Sequence, residues 1–167
     1  MPVEMKVAGI TLDPVTKMPI VILKDSEGNN TLPIWIGIAE ASAIATQLEN
    51  IDLARPMTHD LMKSMLNELG AELDRVEVTC LKDNTFFSSI YLKVGEKNIV
   101  VDSRPSDAIA LALRTDSPIF VDEEVIRKSK SVAADKVEGE ELSSEDRDKW
   151  EEVLENLSPE AFGKYKM

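Results

Sequence analysis

The sequence predicts an α+β fold built from two βββα-like halves, which are joined by a helix and followed by a C-terminal helical extension. Strand-like patterns occur in two groups of three, and each group precedes apolar residues at helical spacing. In addition, residues 34–48 and 99–113 align without gaps and share the pattern Ala-Ile-Ala-x-x-Leu. An internal duplication would explain both observations.

The first half begins with apolar, β-rich segments at residues 3–12, 20–23 and 31–36. Clusters of turn-forming residues separate them, which is typical of a three-stranded meander. After Gly37 the apolar spacing changes to that of a helix, which we place at residues 38–49. The apolar face of this helix consists of Ala41, Ile44, Ala45 and Leu48.

A second helix, at about residues 58–69, joins the two halves. Thr58 follows a proline-containing turn and is a favourable N-cap. Gly70 is expected to end the helix, because glycine adopts the backbone conformation of a helix C-terminus at low cost. The apolar stripe of the helix consists of Leu61, Met62, Met65, Leu66 and Leu69.

The second half repeats the order of three strands and a helix. Apolar and polar residues alternate over residues 76–80, as in a half-buried strand. Two further strands are predicted at 85–94 and 98–102. A helix with an alanine- and leucine-rich apolar run then opens at 103–107, and a short strand is expected at 118–121.

The alignment of the two halves has a constant offset of 65 residues. It makes Glu40 the counterpart of Pro105 and Ala41 the counterpart of Ser106. The N-termini of the two helices would then be related by a pseudo-two-fold axis.

Composition divides the chain into a domain at residues 1–126, a linker at 127–142 and an acidic extension at 143–167. The extension contains an amphipathic helical stripe. We favour its packing on the domain or on a sister subunit, because most such stripes are packing faces; the alternative is a helix that binds another protein. The stripe consists of Trp150, Val153, Leu154 and Leu157.

The composition excludes several kinds of site. With 31 acidic and 19 basic residues, the net charge is −12, which argues against a broad basic surface for a phosphate backbone. Cys80 is the only cysteine and His59 the only histidine, so one chain has neither an internal disulfide nor a two-histidine site. No secretory signal or membrane-spanning apolar run is found, so we expect a protein of the reducing cytoplasm without a membrane partner.

The densest group of chemically active side chains lies at residues 102–107. Arg104 can clamp a phosphate at a helix N-terminus, which itself attracts anions. Asp102 and Asp107 can hold Mg²⁺ or Mn²⁺, and such an ion activates water in phosphodiester hydrolysis. The alternative is structural: Ser106 caps the helix, Asp107 complements the helix dipole, and Arg104 pairs with an aspartate.

His59 and Glu40 are further candidates. His59 opens the joining helix and could serve as a general base near neutral pH. Asp60 follows it directly, but adjacent helical residues do not face each other, so a His59–Asp60 dyad is not expected. Glu40 opens the first helix. The structural alternative for both segments is an ordinary helix start with acidic residues in the first turn.

Three separated segments together resemble the bifunctional nuclease domain family. They lie at residues 32–41, 55–61 and 102–112, in the order and at the spacing of the family. Their key runs are Leu-Pro-Ile-Trp-Ile-Gly followed by Glu-Ala, Arg-Pro-Met-Thr-His-Asp-Leu, and Asp-Ser-Arg-Pro-Ser-Asp-Ala-Ile-Ala-Leu-Ala. The resemblance covers about residues 1–126, and the acidic extension is not part of the family pattern.

The resemblance implies a nuclease that hydrolyses phosphodiester bonds of RNA and DNA. The family is named for combined RNase and DNase activity, described for plant members. We predict that a divalent cation, Mg²⁺ or Mn²⁺, assists the reaction and that His59, Asp102, Asp107 and Glu40 are catalytic, with Asp60 in support. The predicted metal ligands are Asp102 and Asp107, and the predicted substrate-binding residues are Arg104, Ser106 and Arg55.

Two alternatives to a nuclease stay open. Residues 1–121 contain 17 acidic against 11 basic residues, a net charge of −6, which counts against nucleic acid as a partner. A non-catalytic binding or assembly protein would use residues 102–107 as a structural or small-anion site. A hydrolase of a smaller phosphodiester would need less basic surface. In each case we expect a homo-oligomer, from the apolar edge strands and the amphipathic extension.

Overall fold

The computed structural model describes the backbone of residues 1–137 and the side chains of residues 1–131. Eleven helices and strands lie in this part of the chain. The predicted extension at residues 143–167 and the end of the predicted linker lie outside the described residues.

The predicted order of elements is confirmed: the fold is α+β, and each half has three strands and a helix. The first half comprises β1 (Pro2–Leu12), β2 (Pro19–Asp25), β3 (Thr31–Trp35) and α1 (Ile38–Leu48). The second half comprises β4 (Ala71–Lys82), β5 (Thr85–Val94), β6 (Lys97–Ser103) and α3 (Pro105–Thr115). The remaining elements are α2 (Thr58–Glu68), β7 (Ile119–Asp122) and α4 (Glu123–Val137).

The seven strands form one mixed sheet in the order β3-β2-β1-β7-β4-β5-β6. The short strand β7 lies in the centre, antiparallel to β1 and parallel to β4. The two antiparallel meanders therefore extend outward from β7 in opposite directions, and each ends in an edge strand that leads into a helix. This shared order agrees with two related halves, whereas the internal duplication itself stays a prediction.

Helix α3 is the most buried helix of the described core. A run of small and branched apolar residues lets it pack closely on α1, α2, β4 and β5. Burial of a large aliphatic side chain such as Ile109 or Leu111 contributes about 1.5–3 kcal/mol. The first residues of α3, which belong to the candidate site, are therefore held on a rigid element. The buried apolar residues of α3 are Ala108, Ile109, Ala110, Leu111 and Ala112.

Helix α4 occupies residues 127–137, which were predicted to be linker. Among the side chains of α4 that the structure describes, Val125 and Ile126 near its start are buried in the core, and Ser129 is also buried. Polar interactions support the rest of the first two turns. The Asp122 carboxylate accepts a hydrogen bond from the Glu124 N–H at 2.8 Å, and Lys128 Nζ lies 2.9 Å from Glu124 Oε1.

The two edges of the sheet differ. Strand β3 has five residues, contains Pro33 and is contacted by α4. Next to β3, Lys130 Nζ of α4 donates to Asn30 Oδ1 at 2.9 Å. Strand β6 has seven residues, no proline, and side chains that are all exposed up to Ser103. Proline and covering elements are the usual means of protecting an edge strand, and β6 has neither in the described part of the chain.

No helix among the described residues combines the length and the apolar character that crossing a bilayer requires.

Candidate active site

The start of α3 forms one wall of the candidate site. Strand β6 ends at Ser103, Arg104 is the N-cap, and Pro105 is the first helical residue, where its fixed φ angle suits the helix. Ser106 was predicted as the N-cap of this helix, and that prediction is wrong: Ser106 is the second helical residue and is buried. Asp107 is the third residue, so its carboxylate lies in the positive field of the helix N-terminus.

Arg104 joins two carboxylates. Its Nη2 atom lies 2.9 Å from Glu40 Oε1 and 2.9 Å from Asp107 Oδ2, and its Nε donates to the same Asp107 oxygen at 3.0 Å. The hydrogen bond and charge of Asp107, followed by those of Glu40, raise the pKa of the Arg104 guanidinium above its already high value. The guanidinium is therefore a permanent cation, and 67% of the side chain is exposed.

Glu40 reaches Arg104 from the start of α1. Glu40 is the third residue of α1, and Asp107 is the third residue of α3. Counted from the helix starts, the position equivalent to Glu40 is therefore Asp107, and not Pro105 as in the sequence alignment of the two halves. The N-cap of α1 is Gly37, and a Cβ atom at this position would overlap Glu40 Oε2. A side chain at position 37 would therefore displace the Glu40 carboxylate from its present position.

His59 reaches Asp107 from the start of α2. Its Nε2 atom lies 2.9 Å from Asp107 Oδ1, and the residue is only 6% exposed. Because a carboxylate oxygen accepts hydrogen bonds, we assign Nε2 as the donor in this contact, which leaves Nδ1 as the ring nitrogen that can accept a proton. Asp107 therefore bridges His59 and Arg104 through its two oxygens.

These four residues form what we call the Arg104 cluster: Glu40, His59, Arg104 and Asp107. They come from the N-terminal ends of α1, α2 and α3, and they line one cleft of about 380 Å³. Thr58 lies at the cleft as the first residue of α2 and not as its N-cap, which is Met57. The other lining residues are Ala39, Ser42, Ala43, Thr46, Leu53 and Met57.

Asp60 was predicted to support His59, but its contacts lie elsewhere. One oxygen accepts from the Met57 N–H at 2.9 Å, and the other accepts from Arg114 Nε at 2.6 Å. Burial raises the pKa of the Asp60 carboxyl, but the Met57 and Arg114 hydrogen bonds outweigh this, and the net pKa is lowered. Asp60 is thus an ionised partner of Arg114, and its other oxygen accepts the backbone N–H of the N-cap residue of α2.

Arg114 is a buried arginine that connects the three helices of the site, and the sequence did not indicate it. Only 3% of its side chain is exposed, and besides Asp60 it donates to the carbonyl oxygens of Ala110 and Ala43, each at 2.9 Å. The one available signal was a cation at the end of the apolar run of α3. A buried arginine needs hydrogen-bonding or charged partners, so its presence there indicates such partners on neighbouring elements.

Asp102 and Arg55 are not brought into the Arg104 cluster. Asp102 is exposed on β6, where the next residue, Ser103, contacts the buried Ser88 hydroxyl at 2.9 Å. Strand alternation therefore directs Asp102 to the opposite face of the sheet. Arg55 lies exposed in the segment before α2 and does not line the cleft.

The donor atoms of the cluster do not fit a divalent cation as they are placed. A metal ion would bridge carboxylate oxygens, and the Arg104 guanidinium already bridges those of Glu40 and Asp107. No group of three or more histidine, cysteine or acidic side chains suited to a metal was found in the part of the chain that the structure describes.

Comparison with known proteins agrees with the family that the three motifs indicated. The family model described as the bifunctional nuclease domain matches residues 21–134. An uncharacterized protein of Mycobacterium tuberculosis is 34% identical over 162 residues, which cover 95% of this chain and 97% of that protein.

Plant relatives match over a smaller part of their length. Bifunctional nuclease 2 of Arabidopsis thaliana is 35% identical over 105 residues, which are 60% of this chain and 32% of the plant protein. Bifunctional nuclease 2 of Oryza sativa subsp. japonica is 31% identical over 107 residues, covering 62% and 33%. The similarity to plant nucleases therefore concerns about a third of those proteins.

Proposed function

The chain belongs to the bifunctional nuclease domain family, and on that premise we propose that it hydrolyses phosphodiester bonds of RNA and DNA in the cleft lined by the Arg104 cluster. The observation that carries the proposal is the continuous series of contacts from His59 through Asp107 to Arg104. It combines a titratable base, a carboxylate that orients it and an exposed permanent cation within one cleft.

His59 supplies proton transfer in this proposal. Asp107 holds the Nε2 proton, so the Nδ1 atom is the site that accepts a proton from the attacking hydroxyl or water. The Asp107 carboxylate also stabilises the imidazolium that results. An aspartate in this position orients the ring and favours one tautomer, as in other catalytic histidine–carboxylate pairs.

Arg104 supplies phosphate binding. A guanidinium forms two parallel hydrogen bonds to a phosphate, and it stabilises the charge that develops on the phosphoryl oxygens. The unpaired backbone N–H groups at the start of α3 add to the attraction for an anion. In the free protein Glu40 occupies one side of the guanidinium, so we assign Glu40 the role of positioning Arg104 until substrate binds.

Metal assistance is a separate prediction, and the cluster does not depend on it. Asp102 and Asp107 were the expected ligands, yet Arg104 occupies Asp107 and Asp102 lies on another face of β6. We therefore assign no step to a metal ion. Cleavage in EDTA, compared with Mg²⁺ or Mn²⁺, measures whether the reaction needs one.

The decisive experiment is cleavage of labelled single-stranded RNA and DNA by the parent protein and the Asp107→Asn variant. Loss of the orienting carboxylate should lower the cleavage rate by about 10²–10⁴-fold, the usual contribution of general acid–base catalysis. Asp83→Asn, in the exposed turn between β4 and β5, is the matched control and should cleave like the parent. Equal rates for parent and Asp107→Asn would refute the assignment.

A non-catalytic binding or assembly protein is the second candidate, and one observation favours it. Arg104 is already paired with two carboxylates, so the cluster connects α1, α2 and α3 without any ligand. In that case no cleavage occurs with any metal, and Asp107→Asn lowers only the melting temperature. A parent protein that cleaves, with a variant that folds but does not, excludes this candidate.

A further inference from the structure

Among the described residues, strand β6 is an edge of the sheet with no strand paired to its outer side, and it has apolar side chains on both of its faces. It is the last strand of the sheet and pairs only with β5 in the described structure. Ile99 and Val101 are each 41% exposed on one face, and Val100 is 58% exposed on the other. A seven-residue edge strand with three adjacent apolar residues at its centre and no proline is a template for pairing with another chain.

The hairpin between β5 and β6 determines which backbone groups are free. Val94 pairs with Lys97 across a two-residue turn, and the pairing continues to Ser103 without a bulge. Pairs that exchange hydrogen bonds alternate with pairs that do not, and the pair beside a two-residue turn exchanges them. The N–H and C=O groups of every second residue therefore point away from β5. These outward residues are Asn98, Val100 and Asp102.

We propose that the free edge of β6 pairs antiparallel with β6 of a second copy of this chain, about a two-fold axis at Val100. In this register the two Val100 residues face each other. Each Asn98 lies opposite Asp102 of the other copy, where the side-chain amide donates to the carboxylate. On the other face of the sheet each Ile99 lies opposite Val101.

The sequence of β6 selects this register over its neighbours. Moving the axis to residue 99 would place Lys97 opposite Val101 and Asn98 opposite Val100. Moving the axis to residue 101 would place Val100 opposite Asp102. The register at Val100 uses all seven residues of the strand and sets apolar residues opposite apolar ones. A symmetric dimer needs such a self-complementary surface.

The first test is sedimentation velocity of the full-length protein over a range of concentrations. The parent should sediment as a dimer that dissociates on dilution. Val100→Lys places two like charges opposite each other and should sediment as a monomer at every concentration. Val100→Thr keeps the branched shape without charge and should remain a dimer. A parent that is monomeric throughout, or a Val100→Lys variant that dimerises like the parent, would overturn the proposal.

A cross-linking test keeps the proposal falsifiable if Val100→Lys fails to fold. In a Cys80→Ser background, Val100→Cys places two thiols opposite each other, with Cα atoms about 5.5 Å apart, a distance that a disulfide spans. Mild oxidation should give a covalent dimer. Asn98→Cys faces Asp102 of the other copy and should not cross-link to itself, but should cross-link when mixed with Asp102→Cys. Equal cross-linking of the Val100 and Asn98 variants alone would contradict the register.

Discussion

Two arginines of α3 connect the same three helices, and they differ chiefly in exposure. Arg104, at the start of α3, pairs with Glu40 of α1 and with Asp107, which contacts His59 of α2. Arg114, near the end of α3, pairs with Asp60 of α2 and with the Ala43 carbonyl of α1. The Arg104 side chain is 67% exposed, whereas that of Arg114 is 3% exposed.

This difference separates a structural arginine from one that is available to a ligand. The described hydrogen bonds of Arg114 all go to protein groups, and only 3% of its side chain is exposed. Arg104 has similar partners but lines a cleft, and in the function that we propose a phosphate replaces one of these partners. A sequence motif alone cannot distinguish the two cases, because both arginines lie three or four residues from small or acidic helical partners.

Replacing Arg114 by methionine should give the largest change in stability. The substitution leaves Asp60 without its cationic partner and removes the side-chain donor to the Ala110 and Ala43 carbonyl oxygens, so we expect the free energy of unfolding to fall by about 3–5 kcal/mol. Urea denaturation followed by circular dichroism measures this. Arg127→Met, on the exposed side of α4, is the control and should change little. If Arg114→Met lowers the free energy of unfolding by less than Arg127→Met does, Arg114 is not the structural arginine that we assign.

Replacing Arg104 by methionine should change stability little and cleavage strongly. The exposed ion pairs contribute less than about 1 kcal/mol to stability, so unfolding should change little. Loss of the phosphate-binding cation should lower the cleavage rate by about 10²–10³-fold. The comparison uses the same labelled RNA as above, with Arg104→Lys as the conservative variant. If Arg104→Met retains full activity and loses stability like Arg114→Met, both arginines are structural.

Replacing Gly37 by alanine tests how Arg104 is held in place. The backbone conformation at this position suits alanine, but the new Cβ atom displaces the Glu40 carboxylate. We expect a several-fold loss of cleavage with less than about 1 kcal/mol loss of stability. Glu40→Gln should have a similar effect, and combining the two should add nothing further, because both act on one contact. Additive losses would show that Gly37 acts through a different contact.

The pH dependence of unfolding should show the smallest effect. The pKa of Asp60 is lower in the folded than in the unfolded protein, so its ionised form stabilises the fold above the unfolded value of about 3.9. This stabilisation is lost as the pH falls through the folded pKa. The difference in unfolding free energy between parent and Asp60→Asn should therefore shrink as the pH falls below the unfolded value and through the lower folded pKa. A difference that stays constant would contradict the assigned ion pair, and Asp52→Asn is the exposed control.

The order of elements followed from the sequence, because strand and helix periods are local properties. The members of the Arg104 cluster were each predicted as candidate site residues from the sequence. Their contacts with one another were not predicted, because these depend on how the three helices pack. The N-cap at Arg104 could have been inferred from Pro105, which favours the first helical position.

Two features of the site were not predictable from local patterns. Asp102 was grouped with Asp107 because they are close in sequence, yet the change from strand to helix directs them apart. Arg114 was not noticed because its partners lie on other helices, at separations of 54 and 71 residues. Contacts of this kind are set by tertiary packing, which spacing within one element does not encode.

The connection between β6 and α3 consists of one residue, Arg104, which follows the free edge strand and is the cation of the cluster. Because no flexible loop separates β6 from α3, a shift of β6 should also move Arg104 in the cleft. If self-association and ligand binding are coupled through this residue, thermodynamic linkage makes the coupling reciprocal. An anion that raises the equilibrium constant for dimerisation must then bind the dimer with a higher affinity than the monomer.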